Sequence, residues 1–199
     1  MSENDRLHLV ASGKRTDARV RRTRDALGDA LVALMQEKPF ETITVRDVLD
    51  RAKVGRSTFY SHYSDKNDLL MSDAEEFFES VSMLLSLRGD KSERVFPVQE
   101  FFGHIIEAKQ FVDALVSSGK FQDNMELARG QFARGIERRL SELPRAQSIS
   151  ADERPAIAFA HAGALLALLE WWIERGMKQS PAEMDQLFHR LVWRGAGRK

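Results

Sequence analysis

The chain has 199 residues, 43% of them apolar and 30% charged; 30 lysines and arginines balance 30 aspartates and glutamates, and there is no cysteine. At about 100–200 residues per domain this is one domain or a small domain joined to a larger one, with too much apolar content for a disordered chain. The missing cysteine excludes disulfides, zinc ribbons, iron–sulfur clusters and a thiol nucleophile, and only 5 Pro and 12 Gly favour long helices over a turn-rich β protein.

The opening residues, MSENDRLHLVASGKRTDAR, are polar and lack the apolar run of about 7–15 residues that marks a secretory leader. Residues 1–13 are expected to form a flexible tail. A helical period starts at Asp17, with Val20, Leu27, Ala30, Leu31, Leu34 and Met35 on one face. Lys38-Pro39 ends it, because proline disfavours helix in the residue before it. Thr44 with Asp47 is a capping pattern, and Val45, Val48, Leu49 and Ala52 form the buried face of the short helix it starts. Lys53-Val54-Gly55 breaks the run, Arg56–His62 resumes it, and Ser64 precedes a long helix from Lys66 to Leu87.

After a polar loop over residues 88–93, helices are expected over Pro97–Glu107, Lys109–Ser117, Phe121–Leu143, Ala151–Arg175 and Pro181–Trp193. No alternating β-branched run occurs, so the fold is expected to be all-α, with a boundary near residue 65. The longest apolar stretch, Ala156–Leu169, contains His161, stops at Glu170 and falls short of the ~20 residues that span a bilayer. A cytoplasmic protein with no membrane partner is therefore expected.

Charge is unevenly spread: residues 1–66 carry 13 basic and 10 acidic side chains, residues 67–199 carry 17 and 20. Lys14, Arg15, Arg19, Arg21, Arg22 and Arg24 share one stretch with a single acid, Asp17. Such a pole suits a polyanion, although a solvated helix face has the same composition. Thr42–Leu70, TITVRDVLDRAKVGRSTFYSHYSDKNDLL, has the outline of two short helices about a tight turn containing Gly55, a helix-turn-helix. In that geometry the second helix enters the major groove, where Arg56 suits guanine edges, Ser57 and Thr58 suit bases or phosphate, and Tyr60, His62 and Lys66 follow on the same side.

These residues resemble the N-terminal DNA-binding domain of the TetR family of transcriptional regulators. Thr44-Val45-Arg46, Val54, Thr58-Phe59-Tyr60, His62-Tyr63, Lys66 and Leu69-Leu70 carry the resemblance, which covers residues 19–70. It implies a DNA-binding head over 14–65 and a helical ligand-binding and dimerisation domain over 66–199. It also implies that Thr44 meets phosphate, that Arg46, Arg56 and Ser57 reach bases, and that Thr58, Tyr60 and His62 contact phosphate or bases. Lys66 then matches a lysine at a helix N-terminus, where a phosphate is favoured. Many members have Ser where Gly55 stands and Gly where Ser57 stands; glycine is an acceptable N-cap, so the departure bears on base contacts rather than on the fold. Beside such a head, the basic run would add phosphate contacts or a minor-groove arm.

Farther along, AIAFAHAGALLALLEWWI (156–173) is apolar nearly all round, so its helix must be buried on more than one side. Small residues there and the amphipathic helix after it would form a four-helix bundle across a two-fold axis, with Ala160, Gly163, Ala164, Ala167, Leu168, Leu187 and Leu191 at the dimer contact. Both helices could equally complete a monomeric core; the resemblance implies the dimer. Ten of the 12 Phe follow residue 66, and Phe77, Phe78, Phe101, Phe102, His104, Phe111, Met125 and Trp171 are the candidate lining of an apolar effector cavity. Plain core is the competing reading for each of them.

No phosphate-binding glycine loop, H-E-x-x-H or G-x-S-x-G motif occurs, and no two histidines lie within helical reach of each other. No catalysis, cofactor or metal is expected. The chain is expected to be a homodimeric regulator, a repressor released from a near-palindromic DNA operator by an apolar small molecule. The alternatives are the same head under a partner protein or as an activator, and a helical enzyme or carrier whose helix-turn-helix is structural.

Overall fold

A computed structural model describes the backbone of residues 3–195 and the side chains of residues 18–193. The helices in order are α1 (Glu3–Glu37), α2 (Val45–Ala52), α3 (Arg56–Tyr60), α4 (Lys66–Leu87), α5 (Val98–Glu107), α6 (Lys109–Ser117), α7 (Phe121–Glu142), α8 (Arg154–Glu174) and α9 (Pro181–Gly195). Short 3-10 turns at Phe40–Thr42 and Pro144–Ala146 complete the regular structure, and no strand occurs among the described residues. The protein is all-α. Helix already begins at Glu3, inside the stretch expected to be a flexible tail; no proline interrupts the chain before Pro39.

The chain divides into two compact units, Met1–Ser72 and Asp73–Lys199. The first extends past the boundary expected near residue 65 because the start of α4 belongs to its core. Leu69 and Leu70 are 0% and 2% exposed, alongside Leu27, Leu31, Leu34, Phe40, Ile43, Val48, Phe59 and Tyr63. Those residues come from every helix of the unit, so each short helix borrows stability that it lacks alone.

The second unit has its own core, in which α7 packs along α8 and α5 against α9. Gly135 of α7 makes a close approach possible: a Cβ there would lie 2.6 Å from the Ser82 Cβ and 2.7 Å from the Ser82 carbonyl oxygen. The segment before α5 is held by buried Arg139, whose guanidinium donates to the carbonyl oxygens of Asp90 (2.6 Å), Ser92 (2.8 Å) and Arg94 (3.0 Å). Arg94 in turn pairs with Glu100 and with Asp185 of α9.

The all-round apolar helix is longer than the apolar count over 156–169 suggests. By length and composition, the whole of α8 would suffice to cross a membrane. Glu170 interrupts the apolar run, and two tryptophans and an isoleucine follow it. Core helices share that composition, and Ala158, Ala162, Leu165, Leu166, Leu169 and Trp172 of α8 are buried inside the unit.

Candidate nucleic-acid interface

The helix-turn-helix is assembled from local signals first. Thr44 caps α2 in a reciprocal box: its hydroxyl accepts from the Asp47 N–H at 3.1 Å, and its own N–H donates to the Asp47 carboxylate at 2.8 Å. Lys38 adds an ion pair to the same carboxylate at 2.8 Å. The Lys38 ammonium first, then the Thr44 N–H and hydroxyl, hold the Asp47 carboxyl well below the usual carboxylate range. Arg51 clamps the other end of α2 to α1 through two bonds to Glu37, 2.7 and 2.6 Å long.

The turn itself rests on Lys53, not on the nearby glycine. Lys53 takes the left-handed conformation at φ 57° as the α2 C-cap, and the Val54 N–H bonds back to the Leu49 carbonyl at 3.2 Å. Gly55 is extended (φ −74°, ψ 149°) and serves as the N-cap of α3. Five residues cannot sustain a helix on their own, so α3 is pinned by Phe59, which is fully buried and contacts the Tyr60 and Tyr63 rings at 5.2 and 5.7 Å. The Tyr63 hydroxyl accepts from Arg24 Nε of α1 at 3.0 Å, tying the element after α3 to the first helix.

This pinning leaves one side of α3 to solvent. Arg56, Ser57 and Tyr60 are exposed, Thr58 is half-buried, and His62 is exposed just beyond the helix. The Arg56 guanidinium lies 5.6 Å from the centre of the Tyr60 ring one turn on, a cation–π distance that favours one direction for a long, flexible side chain. Arg46 projects from α2 with 89% of its side chain exposed, loosely paired with Asp50 at 3.7 Å. Thr44 is exposed too, but its hydroxyl is engaged in the cap.

Two expected phosphate ligands are turned inward. Lys66 donates to the carbonyl oxygens of Phe40 (2.5 Å), Ile43 (2.6 Å) and Glu41 (3.3 Å). Those carbonyls belong to the 3-10 turn and the residue after it, and the Phe40 oxygen also accepts from the Ile43 N–H at 3.1 Å, so Lys66 ties the turn together from the interior of the head. Arg24 of the basic run is committed to Tyr63 and, at 3.1 Å, to Ser72. Arg19, Arg21 and Arg22 are exposed; the side chains of Lys14 and Arg15 lie outside the described residues. Sequence reasoning missed the Arg24–Tyr63 bond, since no local pattern links partners 39 residues apart.

Residues 27–72 match the N-terminal profile of bacterial regulatory proteins of the TetR family, and residues 98–193 match a transcriptional regulator C-terminal region. The chain belongs to the TetR family. It is a transcriptional regulator with a helix-turn-helix DNA-binding domain and a helical C-terminal domain. A TetR transcriptional regulator from Streptococcus agalactiae 2603V has the same fold, with TM-score 0.58 and 23% identity over 90% of this chain and 98% of that one. So does the dihydroxyacetone kinase operon activator DhaS, with TM-score 0.59 and 20% identity over 87% and 95%. YxbF, an uncharacterized HTH-type transcriptional regulator of Bacillus subtilis (strain 168), is 41% identical over 58 residues. That stretch is 29% of this chain and 15% of YxbF's length.

TetR-family regulators bind DNA and typically dimerise, and the C-terminal candidates fall into two groups. Ala160, Ala164, Ala167 and Leu191 are exposed, and Gly163, Leu168 and Leu187 are half-buried. On α8 the exposed small residues lie opposite the buried face, with Trp171, 36% exposed, in line with them. The cavity candidates, by contrast, largely fill the core. Phe78, Phe101, Phe102 and Met125 are buried, and Phe77 packs against them. Ring meets ring throughout: Phe101–Phe132 at 5.1 Å, Phe96–Phe132 at 4.5 Å and Phe102–Trp172 at 4.8 Å between centroids. His104 is exposed with its ring 4.6 Å from that of Phe77, and Phe111 is half-buried on α6. Trp171 faces outward instead of into this cluster.

Proposed function

We propose that this TetR-family regulator is a cytoplasmic homodimer that represses transcription by placing two α3 helices in successive major grooves of a near-palindromic operator. The observation that carries the reading is the solvent-facing row Arg56, Ser57 and Tyr60 on a helix whose opposite side is anchored by Phe59. Arg56 reads a guanine edge, and Ser57, Thr58, Tyr60 and His62 supply further base and phosphate contacts. Arg46 reaches from α2, and the exposed arginines 19, 21 and 22 add electrostatic attraction along the backbone. Thr44 contributes through the cap it forms, which presents the start of α2. Dimerisation uses the exposed small-residue face of α8 (Ala160, Gly163, Ala164, Ala167 and Leu168) with Leu187 and Leu191 of α9, forming a four-helix bundle.

An effector releases DNA only by binding one state of the dimer better than the other, by a few kcal/mol. The ring-on-ring packing of Phe78, Phe96, Phe101, Phe102 and Phe132 favours a second reading of control, in which no small molecule enters this aromatic core. The name of DhaS, an operon activator, is consistent with activation as the sign of regulation within this fold. Selection from a pool of random duplexes tests the DNA reading. Enrichment of a near-palindrome with half-sites about one helical turn apart supports it; a selected pool with no common sequence refutes it.

A further inference from the structure

Five side chains line an open cleft of about 500 Å³ at the edge of the second unit: Arg145 from the turn after α7, and Gln186, His189, Arg190 and Trp193 from α9. Its volume lies in the range of about 300–1,000 Å³ typical of small-molecule sites. The cleft is built from fixed parts. Trp193 donates its indole N–H to the Glu93 carbonyl at 3.0 Å, and the Arg145 guanidinium covers its ring at 4.7 Å while pairing with the Glu93 carboxylate. His189 is locked as well: its Nε2 accepts from the Val95 N–H at 3.1 Å, and its Nδ1 faces the Asp185 carbonyl at 2.8 Å.

The charges then sort themselves. Arg145 is neutralised by Glu93 and both His189 nitrogens are spent, which leaves Arg190 without a carboxylate partner among the described residues. Gln186 stands one helical turn from Arg190, so a guanidinium and an amide face the same space beside an aromatic wall. One uncompensated positive charge matches a monoanion, and a planar guanidinium matches a carboxylate through paired N–H bonds. Trp193, with Arg145 over one part of its ring, and the largely buried His189 supply the aromatic part of the lining, which suits a flat apolar body.

We infer that this cleft binds a small aromatic carboxylate, with the carboxylate on Arg190 and Gln186 and the ring against Trp193. At 100° per residue, Gln186 and Trp193 lie about 100–160° around α9 from Leu187 and Leu191 and so face away from the proposed dimer contact, while Arg190, about 60° from Leu187 and 100° from Leu191, stands at its flank. The site gives the regulator an effector position outside the aromatic core. It rests on the regulatory reading only for what binding would control, not for binding itself.

The test uses the full-length protein without DNA, so that it stays informative even where operator binding fails. 1-Naphthoate is titrated while the indole N–H signals of the three tryptophans are followed by NMR. The expected result is a saturable shift of the Trp193 signal with a Kd of about 1 mM or below, weakened about tenfold or more in Arg190→Gln and for neutral 1-naphthamide. Arg190 is exposed, so the substitution leaves the fold intact, which the unchanged Trp172 signal confirms. No saturable shift at Trp193, equal binding of the amide, or undiminished binding by Arg190→Gln each overturns the assignment.

Discussion

The ammonium of Lys66 lies 4.4 Å from the centre of the Phe40 ring while donating to the Phe40 carbonyl oxygen at 2.5 Å. One side chain thus fastens the start of α4 to the turn that follows α1, and it does so at a position where the family resemblance implies a phosphate ligand. Lys66→Met keeps the apolar stem and removes the donors. It is expected to cost the head about 1–3 kcal/mol, the range for stranding buried acceptors. Thermal unfolding reports that loss. The salt dependence of DNA binding distinguishes the two roles: a lost phosphate contact lowers the slope of log K against log salt by roughly one unit, whereas the interior role leaves it unchanged.

Gly135 is required where α7 passes Ser82. Gly135→Ala places a Cβ 2.7 Å from the Ser82 carbonyl oxygen, and backbone cannot yield as a flexible side chain would. The expected destabilisation is about 1–3 kcal/mol, as for other overpacked sites. Gly130→Ala on the same helix is the control. Its nearest contact is the end of the Arg134 side chain at 3.7 Å, and alanine there gains about 0.5–1 kcal/mol of helix preference. Urea midpoints of the two variants should move in opposite directions.

Ala164 is exposed at the centre of the small-residue face of α8. Ala164→Arg is expected to convert the proposed dimer to monomer in sedimentation equilibrium with helical content retained, since a charged side chain in solvent costs the isolated subunit little. Should the variant sediment as a dimer, the contact lies elsewhere.

Acid should loosen the second unit through Arg94. Its hydrogen bonds hold the Glu100 carboxyl below its ordinary value. Burial pushes Asp185 upward, but His189, Arg94 and the Gln99 N–H outweigh it and leave that carboxyl lowered too. Both folded values are depressed, so the unfolded chain takes up protons first. The stabilisation is complete above the unfolded values of about 4 and is lost as pH falls through the lower folded ones. Urea midpoints should drop between about pH 5 and pH 3, and less steeply in Arg94→Met; parallel curves for the two proteins would contradict this.

Local chemistry was legible in the sequence. Thr44 and Asp47 announce the cap of α2, Pro39 stops the run of α1, and Gly176 ends the turn after α8 at φ 76°. The solvent row on α3 followed from the same pattern, because Phe59 had to turn inward. Long-range pairing was not legible: nothing near Lys66 or Arg24 shows that one seeks carbonyls 23–26 residues away and the other a tyrosine 39 residues away. Lys53 took the left-handed turn position that composition would assign to a glycine. An aromatic-rich segment has the same residues whether they line a cavity or fill it, and only the distances between Phe96, Phe101 and Phe132 decide.

The most direct test of the account is an anisotropy titration of the selected operator and of a scrambled duplex, at matched salt, with wild type and Arg56→Ala. The account predicts two protomers per operator and a preference of about 10³-fold or more over the scrambled duplex. In Arg56→Ala, discrimination should fall by about 1–3 kcal/mol at one base pair, repeated symmetrically in both half-sites. Equal affinity for the two duplexes would contradict sequence-specific binding, and an Arg56→Ala protein with unaltered base preference would contradict the assignment of Arg56 as a base reader.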